Sequence, residues 1–414
     1  MTQPQRPPLL PLEEALRQLL SHAHPFQETE QVHTMEADGR VLAQDVVSAL
    51  HVPPHDNSAM DGYAMRCADA LIPGAQLAVS QRIAAGTSGT ALELGTAARI
   101  FTGAPVPDGV DAVVMQEECT VLPDAAEWPR VQVNTAPKPG QNIRRSGEDV
   151  ARGDVVLAKG RRLGPAELGL AASIGMDRLD VIRRPRVALF STGDELVMPG
   201  AVAPQDMPPG AIYNSNRFFL NALLRRMGCD VTDLGIVPDQ REATIEALKD
   251  AAASHDVILT SGGVSVGEED HIKPAVQALG ALDLWQIAIK PGKPFAYGRI
   301  GPAHFLGLPG NPVSSFITFL LLVRPFLLCL QGQEDVAIKT VAARADFTWA
   351  RADKRREFLR VRRNDDGGLD LFPNQSSGVL TSAVWGDGLV DNPSSGTVAP
   401  GDIVRFVSFA ELLA

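Results

Sequence analysis

The sequence predicts a multidomain chain of α/β and β structure: a central doubly wound α/β domain between a β-rich N-terminal lobe and a small C-terminal β barrel or sandwich. Three observations predict it. The 414 residues are enough for about three separately cored units. After Pro185, β-branched runs alternate with amphipathic segments, as a largely parallel sheet requires. On either side of that region, short β-branched runs are instead punctuated by Gly and Pro.

Leucines at 12, 16, 19 and 20 recur at helical spacing and His24-Pro25 stops the run, so an amphipathic helix is expected over Leu12 to Ala23. From about Val32 to Ala136, runs such as Val110 to Met115 and Arg130 to Val133 make the β-rich lobe. Asp38-Gly39, Pro53-Pro54, Gly86, Gly103 and Pro105 break them. Gly153 to Leu157 continues as a strand, and Pro165 to Gly175 has Pro in a first helical turn and Gly at its end. Arg183-Arg184-Pro185-Arg186 reads as a linker.

The central units are strand Val187 to Phe190, helix Ser215 to Met227, strand Val231 to Val237, helix Ala243 to Ala253, strand Val257 to Thr260 and helix Ile272 to Leu279. Strands follow at Trp285 to Ile289 and His304 to Leu308, the second leading into a helix from Pro312. The apolar run Phe316 to Leu330 is interrupted by Arg324 and Pro325. It falls short of the roughly 20 residues a membrane span needs, so a buried helix is expected. Beyond Val336, Glu357 to Arg363, Leu369 to Phe372 and Asp402 to Val407 read as terminal strands.

Lys and Arg number 38 against 49 Asp and Glu, a net charge of −11 that argues against duplex DNA as the main partner. An anionic small ligand in a local basic pocket is compatible with it. Cys67, Cys119, Cys229 and Cys329 are far apart and form no C-x-x-C, so reduced thiols of a cytoplasmic protein are expected. Pro4, Pro7, Pro8 and Pro11 stand where a secretion signal needs an apolar run.

Three strand-to-helix junctions end in small, polar, glycine-bearing loops: Ser191 to Glu195, Thr260 to Gly267, and Leu308 to Ser315. At the carboxyl edge of a parallel sheet, such loops let backbone N–H groups approach an anion. None is a Walker A loop and none is a G-x-G-x-x-G fingerprint, which removes the main support for kinase, ATPase and dehydrogenase readings. Gly263 to Gly267 does match G-x-S-x-G, so a serine hydrolase using Ser265 with His271 or His304 is a rival. The charge of Glu268, Glu269 and Asp270 opposes an oxyanion hole there.

Carboxylates recur beside the loops, at Asp194, Glu195, Asp239 and Glu268 to Asp270. An anion crevice lined with carboxylates needs a cation between them, and hard oxygen ligands with phosphate suit Mg²⁺. Lys290-Pro291-Gly292-Lys293-Pro294 places two ammonium groups on a restricted turn, expected at the end of the strand carrying Trp285, Ile287 and Ile289, as an oxyanion pocket. The polar loop His55 to Ala64 is of the kind that carries function. Pro53-Pro54 between His51 and His55 forbids the helix that would place both on one metal, so no zinc is assigned.

These residues carry a family resemblance. Asn57 to Ala64, Phe101 to Pro107, Gly147-Glu148-Asp149, Ser191 to Leu196, Ser261 to Gly267, Lys290 to Pro294 and Leu308 to Pro312 occur in that order. The chain resembles the molybdopterin molybdenumtransferase (MoeA) family and is similar to the C-terminal domain of gephyrin. The resemblance implies a molybdopterin-binding-like central domain and an elongated N-terminal region. It also implies a division into four: residues 1–30 with 146–183, 31–145, 184–335 and 336–414. The implied reaction takes adenylylated molybdopterin and molybdate to the molybdenum cofactor and AMP, with Mg²⁺.

By the same resemblance, Asp61, Thr102, Asp149, Glu195, Asp239 and Asp270 are active-site residues, with Glu195, Asp239 and Asp270 as metal ligands. Thr192, Gly193, Ser261, Gly262, Gly263, Ser265, Gly267, Pro309, Gly310, Asn311 and Ser314 would bind substrate, with Lys290, Lys293, Arg360 and Ser377 on the molybdate side. Two places depart from the family pattern: Gln286, where some members have a basic residue, and Gln375-Ser376-Ser377-Gly378, which has Ser where the family often has Gly. A homodimer with shared sites and contact with the upstream adenylyltransferase are further implications. A gephyrin-like scaffold without turnover is the remaining alternative.

Overall fold

The computed structural model describes residues 9–122, 129–264 and 271–413. They divide into two compact units: one of residues 32–38 and 44–179, the other of the remaining described chain. Helix α1 (Leu12–Leu20) belongs to the second unit. It buries Leu12, Ala15 and Leu19 and carries Glu13 and Glu14 at its positive end.

The first unit is built on β1 (Gly62–Met65), β2 (Ala75–Ile83), β3 (Thr96–Ile100), β4 (Ala112–Met115), β5 (Cys119–Leu122) and β6 (Arg130–Val133). Their sheet order is β4-β1-β3-β2-β6-β5, with only β2 and β3 parallel. Alternate residues face opposite sides, so Tyr63, Met65, Ala97 and Val114 fill one core while Ala64, Ala98, Ile100 and Val113 fill another. Both faces of the central strands are thereby covered, which is why they read as apolar runs. Helix α2 (Pro165–Ser173) has Pro at its start, as expected.

The second unit holds β7 (Arg186–Thr192), α3 (Asn216–Arg226), β8 (Asp230–Val237), α4 (Arg241–Ser254), β9 (Val257–Ser261), α5 (Ile272–Leu279), β10 (Gly280–Gln286), β11 (Ile289–Lys290), β12 (Pro294–Ile300) and β13 (Ala303–Leu308). The main sheet runs β8-β7-β9-β13-β12-β10. The first four strands are parallel, and β12 and β10 form an antiparallel edge. Leu189, Leu259 and Leu306 face α3 and the later helices, whereas Phe190, Ile258 and Phe305 face α4 and α5. The domain is doubly wound.

Two expectations need correction. Trp285, Ile287 and Ile289 do not share a strand: β10 ends at Gln286, and β11 joins the C-terminal sheet beside β15 (Arg356–Arg363). Pro291 has no N–H to continue a ladder, and Gly292 adopts a φ of 111° that directs the chain back into β12. The arginines at 183 and 186 are not a free linker either. Both hold Asp256: Arg183 Nη1 donates to Asp256 Oδ2 at 2.7 Å and Arg186 Nη2 to Oδ1 at 2.9 Å. Burial pushes that carboxyl up, but the arginine hydrogen bonds more than offset it and hold it at about 2.

Residues 312–330 form one apolar helical run: α6 (Pro312–Thr318), a wider π turn at Phe319–Val323, and α7 (Arg324–Leu330). Pro325, which lacks a donor, lies just after the wide turn. The run is long and apolar enough to cross a membrane but is mostly buried within the unit's core. Strands β14 (Val341–Arg344), β15, β16 (Leu369–Leu371), β17 (Gly388–Asn392) and β18 (Ile403–Ser408) complete the terminal domain. Its sheet order is β11-β15-β17-β18-β14, with β16 beside β15, around Leu359, Val361, Val390 and Phe406.

Candidate functional site

Strands β7, β9 and β13 are adjacent and parallel, so their C-terminal loops emerge side by side. After β7 the chain enters α3 on one face, and after β9 it enters α5 on the other, which opens a crevice between them. A cavity of about 620 Å³ lies there. It is lined by Thr192, Glu195, Ser261, Gly262, Pro309, Gly310, Asn311 and Ser314, together with Ser191, Asn214 and Asn216. Among the described residues, no lysine or arginine borders it.

Asn216 ties two of the loops together at the start of α3. Its Nδ2 donates to Ser261 Oγ and to the Gly310 carbonyl, both at 2.7 Å. The Gly262 N–H donates to the Leu308 carbonyl at 3.0 Å, joining the β9 and β13 loops directly. Glycine is required in these turns: Gly263 has a φ of 67°, and a Cβ there would sit 2.4 Å from Ile272 Cγ1. Gly193 has a φ of 143°, and Glu195 folds its carboxylate back over it, within 2.6 Å of where a Cβ would be.

A second pocket, about 300 Å³, shares Pro294, Asn311 and Ser314 with the first. It is lined by Lys290, Gly292, Lys293, Arg355, Gln375, Ser376 and Ser377. The Val313 N–H donates to the Ser377 carbonyl at 2.9 Å, fastening the terminal domain to the start of α6. Lys290 is not a free cation: its Nζ lies 2.9 Å from Glu357 Oε1 and 3.4 Å from Asp353 Oδ2. Lys293 makes no ion pair among the described residues. Arg360 is buried, with its Nε donating to Ser382 Oγ and Nη2 to the Ser376 carbonyl. Burial lowers its pKa to about 10.

In the first unit, Asp61 Oδ1 accepts from the Thr102 N–H at 2.7 Å and from Thr102 Oγ1 at 2.8 Å. These bonds, the backbone one first, hold the Asp61 carboxyl below the usual range. Asp149 borders a separate depression of about 390 Å³ with Asn57, Arg144 and Glu148.

The expected metal set is only partly visible. Glu195 lines the larger cavity and Asp239 lies two residues beyond β8. Ser265, Gly267 and Asp270 lie outside the described residues. Among the described residues no three metal-ligating side chains converge. The hydrolase reading loses a candidate base, since His304 sits near the start of β13, about 13 Å of strand away from the carboxyl-edge loops. It is buried against Tyr297, whose hydroxyl lies 3.0 Å from Nδ1, and burial lowers its pKa to about 4.

Three family models match in order: "MoeA N-terminal region (domain I and II)" over residues 10–175, "Probable molybdopterin binding domain" over 188–328, and "MoeA C-terminal region (domain IV)" over 342–409. The chain is 39% identical over 419 residues to the molybdopterin molybdenumtransferase of Haemophilus influenzae, covering 98% of this chain and 100% of that one. The chain belongs to the MoeA family. It is also 35% identical to the family enzyme of Synechococcus elongatus, over 86% of this chain and 88% of the relative. Among solved structures, it superimposes on a molybdopterin biosynthesis moeA protein from Pyrococcus horikoshii OT3 with a TM-score of 0.84. That pair is 29% identical and covers 97% of this chain and 100% of the other.

Sequence reasoning missed Asn214, Asn216, Asp353 and Glu357. Asn216 reads as helix-start polarity, and Glu357 as one acid in a strand. Only the three-dimensional pairing of Glu357 with Lys290, 67 positions apart, gives it a role.

Proposed function

We propose that this chain is a molybdopterin molybdenumtransferase, converting adenylylated molybdopterin and molybdate to the molybdenum cofactor and AMP. The observation that carries the reading is the pairing of two pockets through shared residues: a large one with neutral donors and, among the described residues, one carboxylate, and a small one bordered by cations. A polar heterocycle with its phosphate fits the first, where loop N–H groups and the Ser261 hydroxyl supply donors. A tetrahedral oxyanion fits the second, where Lys293, Ser377 and Ser314 border the space and Arg360 adds charge from behind. Pro294, Asn311 and Ser314 bring the two ligands into contact.

The Glu195 carboxylate and the hydroxyl and amide oxygens of the described lining are hard oxygen ligands, which suit Mg²⁺. Glu195, with Asp239 and Asp270, would hold it. When bound, Mg²⁺ supplies charge neutralisation of the phosphoanhydride and of the leaving AMP. Asp61, Thr102 and Asp149 would complete the site from the β-rich lobe of a second copy in a homodimer. Asp61 remains ionised under its Thr102 hydrogen bonds and suits contact with a cationic or hydroxyl group.

The four-part domain division, a cytoplasmic location with its four free cysteines, and delivery of substrate by the upstream adenylyltransferase belong to the same reading. The test is to incubate the protein with adenylylated molybdopterin and follow AMP. Release is expected only with both molybdate and Mg²⁺, and Lys293→Ala should raise the molybdate requirement. AMP release indifferent to molybdate would reject the assignment.

A further inference from the structure

The oxyanion pocket contains a charge restraint that the family resemblance did not supply. Lys290, Lys293 and Arg355 border it, yet two of these cations are already neutralised. Lys290 Nζ is held by Glu357 Oε1 at 2.9 Å and by Asp353 Oδ2 at 3.4 Å. Arg355 Nη2 donates to the same Asp353 Oδ2 at 2.8 Å. The Arg355 hydrogen bond, first among its causes, keeps Asp353 ionised far below the usual carboxylate range.

Glu357 is itself fixed on all sides. It is 1% exposed, stands opposite Lys290 in the β11–β15 register, and its Oε2 accepts from Trp349 Nε1 at 2.7 Å and Asn392 Nδ2 at 3.3 Å. A buried carboxylate is stable only when its partners are this complete. Three positive charges border the pocket and two negative charges sit against them, so Lys293 is the border cation left without a carboxylate. Arg360 adds one more from behind Ser376, and it too has no carboxylate partner among the described residues.

We infer that Glu357 and Asp353 are positioning residues that set the pocket's affinity: they hold the Lys290 ammonium back, so the pocket offers two uncompensated charges, matched to one tetrahedral dianion. This rests on the oxyanion reading given under Proposed function. Without the restraint, Lys290 swings into the pocket and tetrahedral dianions bind more tightly. In Glu357→Gln the amide oxygen can keep Trp349 and Asn392 while the amide N–H₂ faces Lys290 and expels it. Asp353, which is partly exposed, offers a second variant with little risk to folding.

The experiment is calorimetric titration of the full chain with molybdate and, separately, with sulfate, for the wild type, E357Q, D353N, K290M and E357Q/K290M. The wild type should bind molybdate. E357Q and D353N should each bind molybdate and sulfate about threefold to tenfold more tightly, the range expected for one partly screened charge. K290M should remove the gain from E357Q. Folded E357Q and D353N with unchanged or weaker binding would overturn the inference, and so would a gain that persists without Lys290. Absence of molybdate binding in the wild type itself would overturn the pocket's assignment and the inference with it, before any variant is compared.

Discussion

Replacing Asn216 by Asp tests whether one side-chain amide holds the crevice together. The substitution keeps the shape and exchanges the Nδ2 donor for a carboxylate oxygen. Ser261 can rotate its hydroxyl to donate, so that contact survives. The Gly310 carbonyl cannot, and it is left 2.7 Å from a negative oxygen at a residue only 8% exposed. Loss of the Gly310 bond and exposure of its carbonyl to a like partner cost about 2 to 3 kcal/mol, with roughly another 1 kcal/mol for the partly buried charge. For a unit of this size that is a fall in melting temperature of roughly 10 °C. Asn216→Ala, which leaves both acceptors open to water from the cavity, should cost about half as much. The assay is thermal unfolding between pH 5 and 8. Acidification should partly restore N216D, because a protonated carboxyl can donate again to Gly310, and should leave N216A unchanged. An N216D protein within about 0.5 kcal/mol of wild type, with no pH dependence, would refute the reasoning.

Gly263→Ala forces a side chain at a φ of 67° against Ile272, so chemical denaturation should show a loss of about 2 to 4 kcal/mol together with weakened substrate binding. The depressed Asp256 pKa, about 2 against an ordinary 3.8, contributes stability that is fully present above about pH 4 and lost as pH falls through 2. Asp256→Asn should therefore cost about 2 kcal/mol at pH 7 and flatten the acid limb of the stability profile, read by urea unfolding at stepped pH. Thr102→Val removes the hydroxyl donor to Asp61 but keeps the N–H, so an NMR titration should show the Asp61 carboxyl moving up part of the way to its ordinary value.

Much of the fold was legible because its signals are local. The switch from Gly- and Pro-broken β runs to strand-helix alternation marks the central domain, and all three glycine loops fall at the carboxyl ends of neighbouring strands. Whether three loops share one edge is a question of strand order, and β7, β9 and β13 meet that condition through crossovers that no short window of sequence displays. The Trp285 to Ile289 segment was misread because apolar residues continue through a point where the chain changes sheets. Lys290 borders a pocket, but whether its charge is free depends on Glu357, set opposite it by the β11–β15 pairing, and on Asp353. Arg183 and Arg186 looked like linker charges for the same reason: their partner, Asp256, is about 70 residues away.

The separation of charge between the two pockets bears on how anions are handled at all by a chain with a net charge of −11. A cavity rimmed throughout by lysine and arginine would hold any phosphate, product included, by charge alone. Here the large cavity offers neutral hydrogen-bond donors, which discriminate by geometry, and confines the border cations to a neighbouring space of about 300 Å³. Even there, carboxylates neutralise two of the three bordering cations. Under the proposed function, binding strength is thereby kept low where the ligand is large and must leave, and charge is concentrated where the ligand is small. Pro294, Asn311 and Ser314 are the residues shared by the two linings among the described residues, so under the proposed function the chemistry that joins the two ligands would occur beside them.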